Sequence, residues 1–150
     1  MPESNLEEIL DFAIAREQEA HEFYLDMAKK AERPGMEGLF TQFAREEMGH
    51  KKRLEGIRKG TRSFSPAKKV VDLKIGDYLV EVEPTATVTY QNALILAMKK
   101  EKAAFQLYTD LAAQTDDTEV KKIFEGLAQE EAKHKLRFEV EYDDMILTEN

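Results

Sequence analysis

The sequence predicts an all-α protein: a four-helix bundle of two helical hairpins joined by a long crossover, with residues 1–150 forming one domain. Three observations predict it. Ala, Glu, Lys and Leu dominate, 35% of residues are charged, and there are only 7 Gly and 4 Pro, a composition that favours helices. Apolar residues recur at helical spacing in four stretches. The two halves of the chain also repeat one another at a constant offset, as a duplicated hairpin would.

The first helix is expected over about residues 4–32. Ser4 with Glu7 makes a capping box, the periodic apolar residues begin at Leu6, and Pro34-Gly35 stops them. The second helix covers about 36–59, with Gly60 as its C-terminal cap. Gly38, Gly49 and Gly56 lie inside it, each costing about 1 kcal/mol of helicity relative to Ala, so packing must offset them. Residues 60–88 turn to Ser, Pro and β-branched types. Val70-Val71 and Leu79-Val80-Glu81-Val82 would be strands without partners, and the stretch reads as one crossover with a short helical turn around Ile75 to Leu79. Thr87 or Thr89 caps a third helix over about 89–114, and a capping box of Asp116 with Glu119 opens a fourth over about 117–147.

The repeat has an offset of 84 residues and needs no gap. Ala13 answers to Ala97, Glu17 to Glu101, Ala20 to Ala104 and Tyr24 to Tyr108. Further on, Phe40 answers to Phe124, Glu46-Glu47 to Glu130-Glu131, His50-Lys51 to His134-Lys135 and Arg53 to Arg137. Two such hairpins, with a connection long enough to run the length of a bundle, describe an up-down, down-up arrangement.

Charge and composition exclude several classes of function. The net charge is −8 and no Lys/Arg cluster is dense enough to track a phosphate backbone, so nucleic acid is not an expected partner. No segment approaches the roughly 20 apolar residues of a membrane span. The N-terminus, with Glu3, Glu7 and Glu8, lacks the basic region of a signal peptide; a soluble, cytoplasmic protein is expected. The absence of cysteine excludes disulfides, thiolate metal sites, iron–sulfur clusters and thiol nucleophiles.

The chemistry lies in the core-facing seams, written in alternating steps of four and three. Leu6, Leu10, Ala13, Glu17, Ala20, Tyr24 and Met27 form the first; Tyr90, Leu94, Ala97, Glu101, Ala104, Tyr108 and Leu111 form the third. Each carries one central glutamate. The second and fourth seams instead carry a central Glu-x-x-His, Glu47 with His50 and Glu131 with His134. Glu17 to Glu47 and Glu101 to Glu131 are both 30 residues apart, so all six groups meet at one level. An unpaired carboxylate there would cost several kcal/mol or take up a proton. Four carboxylates and two neutral imidazoles carry about −4, which two divalent cations would cancel, and Glu-x-x-His puts both donors on one helix face. This is the ligand set of the di-iron and di-manganese carboxylate bundles.

The residues around the six are less distinctive. Glu46 and Glu130 stand one turn from the histidines but off the seam, which places them on the surface or behind the ligands. His21 follows Glu17 by one turn, yet Phe105 holds the repeated position, so it is expected on a flank. Tyr24 and Tyr108 are open to two readings: hydrogen bonding to a metal-bound carboxylate or passing an electron, or simply filling the core.

These motifs resemble the rubrerythrin branch of the ferritin-like superfamily. The resemblance rests on Glu17-x-x-Ala-x-x-x-Tyr24, Glu101-x-x-Ala-x-x-x-Tyr108, the two Glu-x-x-His pairs and the long crossover, and runs from about Leu6 to Glu141. It implies a ferritin-like bundle with two iron ions, Glu17 and His50 holding mainly one, Glu101 and His134 mainly the other, and Glu47 and Glu131 bridging. It further implies reduction of hydrogen peroxide. The cysteine-rich rubredoxin domain of rubrerythrins is absent, so a separate electron donor, such as a rubredoxin-like protein, is expected. Rubrerythrins also carry an extra glutamate one turn after the third-helix ligand, where this chain has Ala104; the result is closer to a six-ligand ferritin-type centre.

The leading expectation is therefore a di-iron oxidoreductase acting on hydrogen peroxide or dioxygen. A ferroxidase for iron storage or detoxification, acting alone or as cargo of a larger shell, is the second; four helices rather than five argue against a closed cage. A non-catalytic bundle holding zinc is the third, and Mn also suits the ligand set. Outer-face residues Phe12, Phe23, Phe105 and Leu107 suggest a homodimer, unless the crossover covers them.

Overall fold

Residues 6–31, 33–60, 78–80 and 89–149 are described in a computed structural model of the chain, with side chains to residue 147. Four helices make up nearly all of them: α1 (Leu6–Lys30), α2 (Met36–Gly60), α3 (Tyr90–Gln114) and α4 (Thr118–Glu149). Glu7 and Glu8 in the first turn of α1 and Lys29 and Lys30 in its last oppose the helix dipole with charge of the right sign at each end. Gly35 turns the chain at φ 86°, a conformation that suits a residue without Cβ, and its carbonyl accepts the Leu39 amide to start α2.

Thr89 caps α3, its side chain accepting the Asn92 amide at 3.0 Å. The cap of α4 is Asp117 rather than the expected Asp116. Asp117 Oδ1 accepts the amides of Glu119 and Val120 at 3.0 and 3.2 Å, while its own amide donates to Thr115 Oγ1 at 3.3 Å; this turn moves the cap one residue along. Ser4, most of the expected turn from Ile75 to Leu79, and the Val70-Val71 segment lie outside the described residues.

Two apolar clusters define the topology. One holds Leu10 of α1, Leu54 of α2, Leu111 of α3 and Leu127 of α4. The other holds Met27, Phe40, Leu94 and Phe138 from the same four helices. The start of α1 and of α4 thus shares an end of the bundle with the finish of α2 and of α3. The order is up, down, down, up, and a connection from α2 to α3 must traverse roughly 37 Å, the length of a 25-residue helix. Tyr78 shows part of its course: it is buried in the first cluster and its hydroxyl donates to Asp110 of α3 at 2.7 Å.

Leu107, expected on an outer face, is 2% exposed and belongs to the same cluster as Tyr78. It is buried within the chain's own core. Phe12 and Phe23 are partly buried against the clusters, whereas Phe105 stays exposed.

Phe138 is fully buried and meets Tyr24, Phe40 and Phe43 at ring distances of 5.3 to 5.8 Å. Phe138→Ala should destabilise the fold by about 3–5 kcal/mol in chemical denaturation. Gly56 is the opposite case: it is exposed inside α2, four residues before its end, and an added Cβ would meet nothing within 4 Å. Gly56→Ala should stabilise the protein by about 1 kcal/mol; no gain would mean that α2 is bent or loosened there.

Candidate metal centre

Between the two apolar clusters the four seams change character at one level. Glu17, Glu47, Glu101 and Glu131 are 1–2% exposed, and His50 and His134 are 1% and 4% exposed. The expected six residues are therefore brought together in the core. His50 Nδ1 lies 3.6 Å from Glu17, 3.4 Å from Glu47 and 3.1 Å from Glu131. His134 Nδ1 lies 3.2 Å from Glu47, 3.6 Å from Glu101 and 3.7 Å from Glu131.

Each of the six turns at least one buried polar atom inward without a hydrogen-bond partner: Glu17 Oε2, Glu47 Oε1, Glu101 Oε2, Glu131 Oε1 and the Nδ1 atoms of both histidines. Native cores rarely leave such atoms unsatisfied, because each costs about 1–3 kcal/mol, more if charged. The six residues fall into two sets, Glu17, Glu47, His50 and Glu131 in one, Glu47, Glu101, Glu131 and His134 in the other, and in each set one donor atom per residue lies within 4.8 Å of the others. Both sets are close enough to hold a metal ion. Glu47 and Glu131 belong to both, the positions a bridging carboxylate would take.

Behind the two terminal glutamates and the two histidines, side chains of the other hairpin approach. Tyr24 of α1 donates to Glu101 Oε1 of α3, and Tyr108 of α3 donates to Glu17 Oε1 of α1. Both rings are buried, so each tyrosine fills the core and also takes one oxygen of a terminal carboxylate, leaving the other facing inward. Glu46 and Glu130 stand behind the histidines: Glu46 Oε2 lies 2.7 Å from His134 Nε2, and Glu130 Oε2 lies 3.2 Å from His50 Nε2. The duplicated Glu-Glu doublet was the available sequence signal for them, but not for a pairing across hairpins. His21 is only half-buried, and its Nδ1 lies 2.6 Å from the Ala44 carbonyl, on the flank as expected.

The model of the rubrerythrin family matches residues 8–142. The chain belongs to the rubrerythrin family. Its fold is also that of two solved structures. A hypothetical protein from Pyrococcus furiosus is 29% identical, covering 92% of this chain and 88% of its own, with a TM-score of 0.70. A candidate ferritin-like diiron-carboxylate protein from Thermotoga maritima is 20% identical, covering 97% of this chain and 99% of its own, with a TM-score of 0.75. No curated protein matches. No helix among the described residues is long and apolar enough to cross a membrane.

The electrostatics of this rubrerythrin-family core follow from crowding four carboxylates out of water. Burial, then the neighbouring glutamates, pushes Glu47 and Glu131 well above the ordinary carboxylate value. Burial and the adjacent carboxylates likewise hold both tyrosines protonated. Burial pulls the histidines down, but the carboxylates around them outweigh it and raise His50 to about 9 and His134 to about 10. Protons and metal cations are thus alternative ways of balancing the same charge.

This fixes the sign of two pH effects. A histidine raised from 6.5 to about 9 or 10 stabilises the fold fully below pH 6.5, and the contribution is lost as the pH rises through 9 to 10. Glu47 and Glu131 act in the same direction. Chelator-treated protein should therefore unfold at lower denaturant concentration at pH 10 than at pH 6. Metal binding near neutrality should release protons, read with an indicator dye in weak buffer; proton-neutral binding would mean that the six groups are not the ligands.

Proposed function

We propose that the chain is a di-iron oxidoreductase of rubrerythrin type, reducing hydrogen peroxide or dioxygen with electrons from a separate donor. The observation that carries this is the pair of overlapping donor sets, each ending in one imidazole and sharing two carboxylates. Carboxylate oxygen and imidazole nitrogen suit iron and manganese, and also zinc. Two Fe(II) ions held there would supply the two electrons that reduce such an oxidant.

The protein's own part is positional. Tyr24 and Tyr108 hold Glu101 and Glu17 by one oxygen each, while Glu47 and Glu131 remain unpaired at the shared oxygens. The apolar clusters above and below keep bulk water from the level of the ligands. A cavity of ≈ 220 Å³ reaches the same four glutamates beside Ala20 and Ala104. That volume admits an oxidant of two heavy atoms.

The small side chain of Ala104, where rubrerythrins carry a further glutamate, favours a second reading as ferroxidase. Its six-residue donor set is the simpler ferritin-type one. A cytoplasmic location, a homodimer and a rubredoxin-like electron donor complete the proposal; the absence of cysteine from these 150 residues supports an external donor.

The test is metal analysis of protein purified without oxygen, then mixing the Fe(II) form with stoichiometric hydrogen peroxide or with dioxygen while recording the visible spectrum. Close to two irons per chain and faster oxidation by peroxide support the peroxidase. Preference for dioxygen supports the ferroxidase. Firmly held zinc, or unchanged metal content in the double variant Glu47→Ala with Glu131→Ala, would overturn the redox reading.

A further inference from the structure

The internal repeat makes the two halves of the centre equivalent in sequence, but the structure makes them unequal. Glu46 and Glu130, His50 and His134, and Arg53 and Arg137 are all matched pairs. Glu46 Oε2 meets His134 Nε2 at 2.7 Å in hydrogen-bond geometry. Glu130 Oε2 instead receives Arg53 Nη1 at 2.8 Å, stands at 3.2 Å from His50 Nε2, and leaves that nitrogen without an aligned hydrogen bond. Arg137 lines the same opening as Glu46 and His134 but makes no ion pair with Glu46 among the described residues. A second difference lies on the ring faces: Phe43 stacks on His134 with centroids 4.0 Å apart, and its repeat partner is the aliphatic Leu127.

We propose that Glu46 and Glu130 are positioning residues, each fixing the histidine of the opposite hairpin with Nδ1 toward the metal, and that Arg53 makes the two metal positions unequal by competing for Glu130. A carboxylate behind an imidazole selects the tautomer and increases the donor strength of the other nitrogen. An oxygen already accepting from a guanidinium is a poorer acceptor for a second donor. The position served by Glu101 and His134 is therefore the tighter one, and the position served by Glu17 and His50 is the weaker. This rests on the dinuclear reading of the six residues given above.

The experiment is a titration with Co(II), redox-inert under these conditions, followed by its visible bands and by the exchangeable imidazole N–H signals of the paramagnetic protein. The expected result is two resolved binding steps, of which His134→Ala removes the tighter and His50→Ala the weaker. Arg53→Leu should tighten the weaker step about tenfold and slow solvent exchange of the His50 N–H, whereas Arg137→Leu, which removes the same charge nearby, should leave the gap between the steps as it was. Glu46→Gln should weaken the tighter step by about 10- to 100-fold. A single affinity for both ions, or equal effects of the two arginine substitutions, would overturn the inference while leaving the dinuclear site standing. Absence of Co(II) binding by the unmodified protein would overturn both.

Discussion

Six ionisable side chains buried at one level of a largely apolar bundle are the constraint on which the rest of the structure depends. Four carboxylates within a few ångströms of one another repel, and burial removes the water that would screen them. A core of this kind persists only when something neutralises it. The tyrosines cannot, since a hydroxyl donates one hydrogen bond and leaves the charge in place. Protons on the histidines and on the shared glutamates achieve it in part. Cations at the unpaired inward atoms would do so while also giving those atoms a partner.

The same constraint explains how the hairpins are joined. Within each hairpin the helices pack along their length; between hairpins, polar contacts gather at the centre, apart from Arg33, which meets Glu141 and Asp144 of α4. Tyr24 reaches Glu101, Tyr108 reaches Glu17, and Glu46 and Glu130 stand behind the histidines of the opposite pair. Each half of the chain thus supplies the support for the other half's donors. Neither hairpin alone holds a complete set: Glu131 joins Glu17, Glu47 and His50, and Glu47 joins Glu101, Glu131 and His134. Duplication of a hairpin therefore produces a paired site only when the copies dock face to face, which links the fold directly to its chemistry.

Much of this was legible in the sequence, for a specific reason. A helix places every third or fourth residue on one face, so a seam that is apolar except at its centre identifies both the buried face and its exceptions. Glu17, Glu47, His50, Glu101, Glu131 and His134 all follow from that rule. Local hydrogen bonding was legible too, though less finely: the cap of α4 sits at Asp117, one residue beyond the expected Asp116, because Thr115 shapes the turn before it. The sequence left Leu107 either on an outer face or under the crossover; the structure buries it in the cluster that also holds Tyr78, a choice that periodicity within one helix does not make.

By itself, then, the sequence determined the helices, the duplicated hairpin, the level of the polar groups and the identity of the six candidate donors, since all of these depend on spacing along a single helix. Only the tertiary structure gave Tyr24 and Tyr108 a carboxylate partner in addition to their place in the core, set Glu46 and Glu130 behind the histidines, and broke the equivalence of the halves through Arg53. Those contacts join residues 77 to 91 positions apart. Their partners are chosen by how two hairpins pack against each other, and a pattern repeated identically in each half carries no record of that choice.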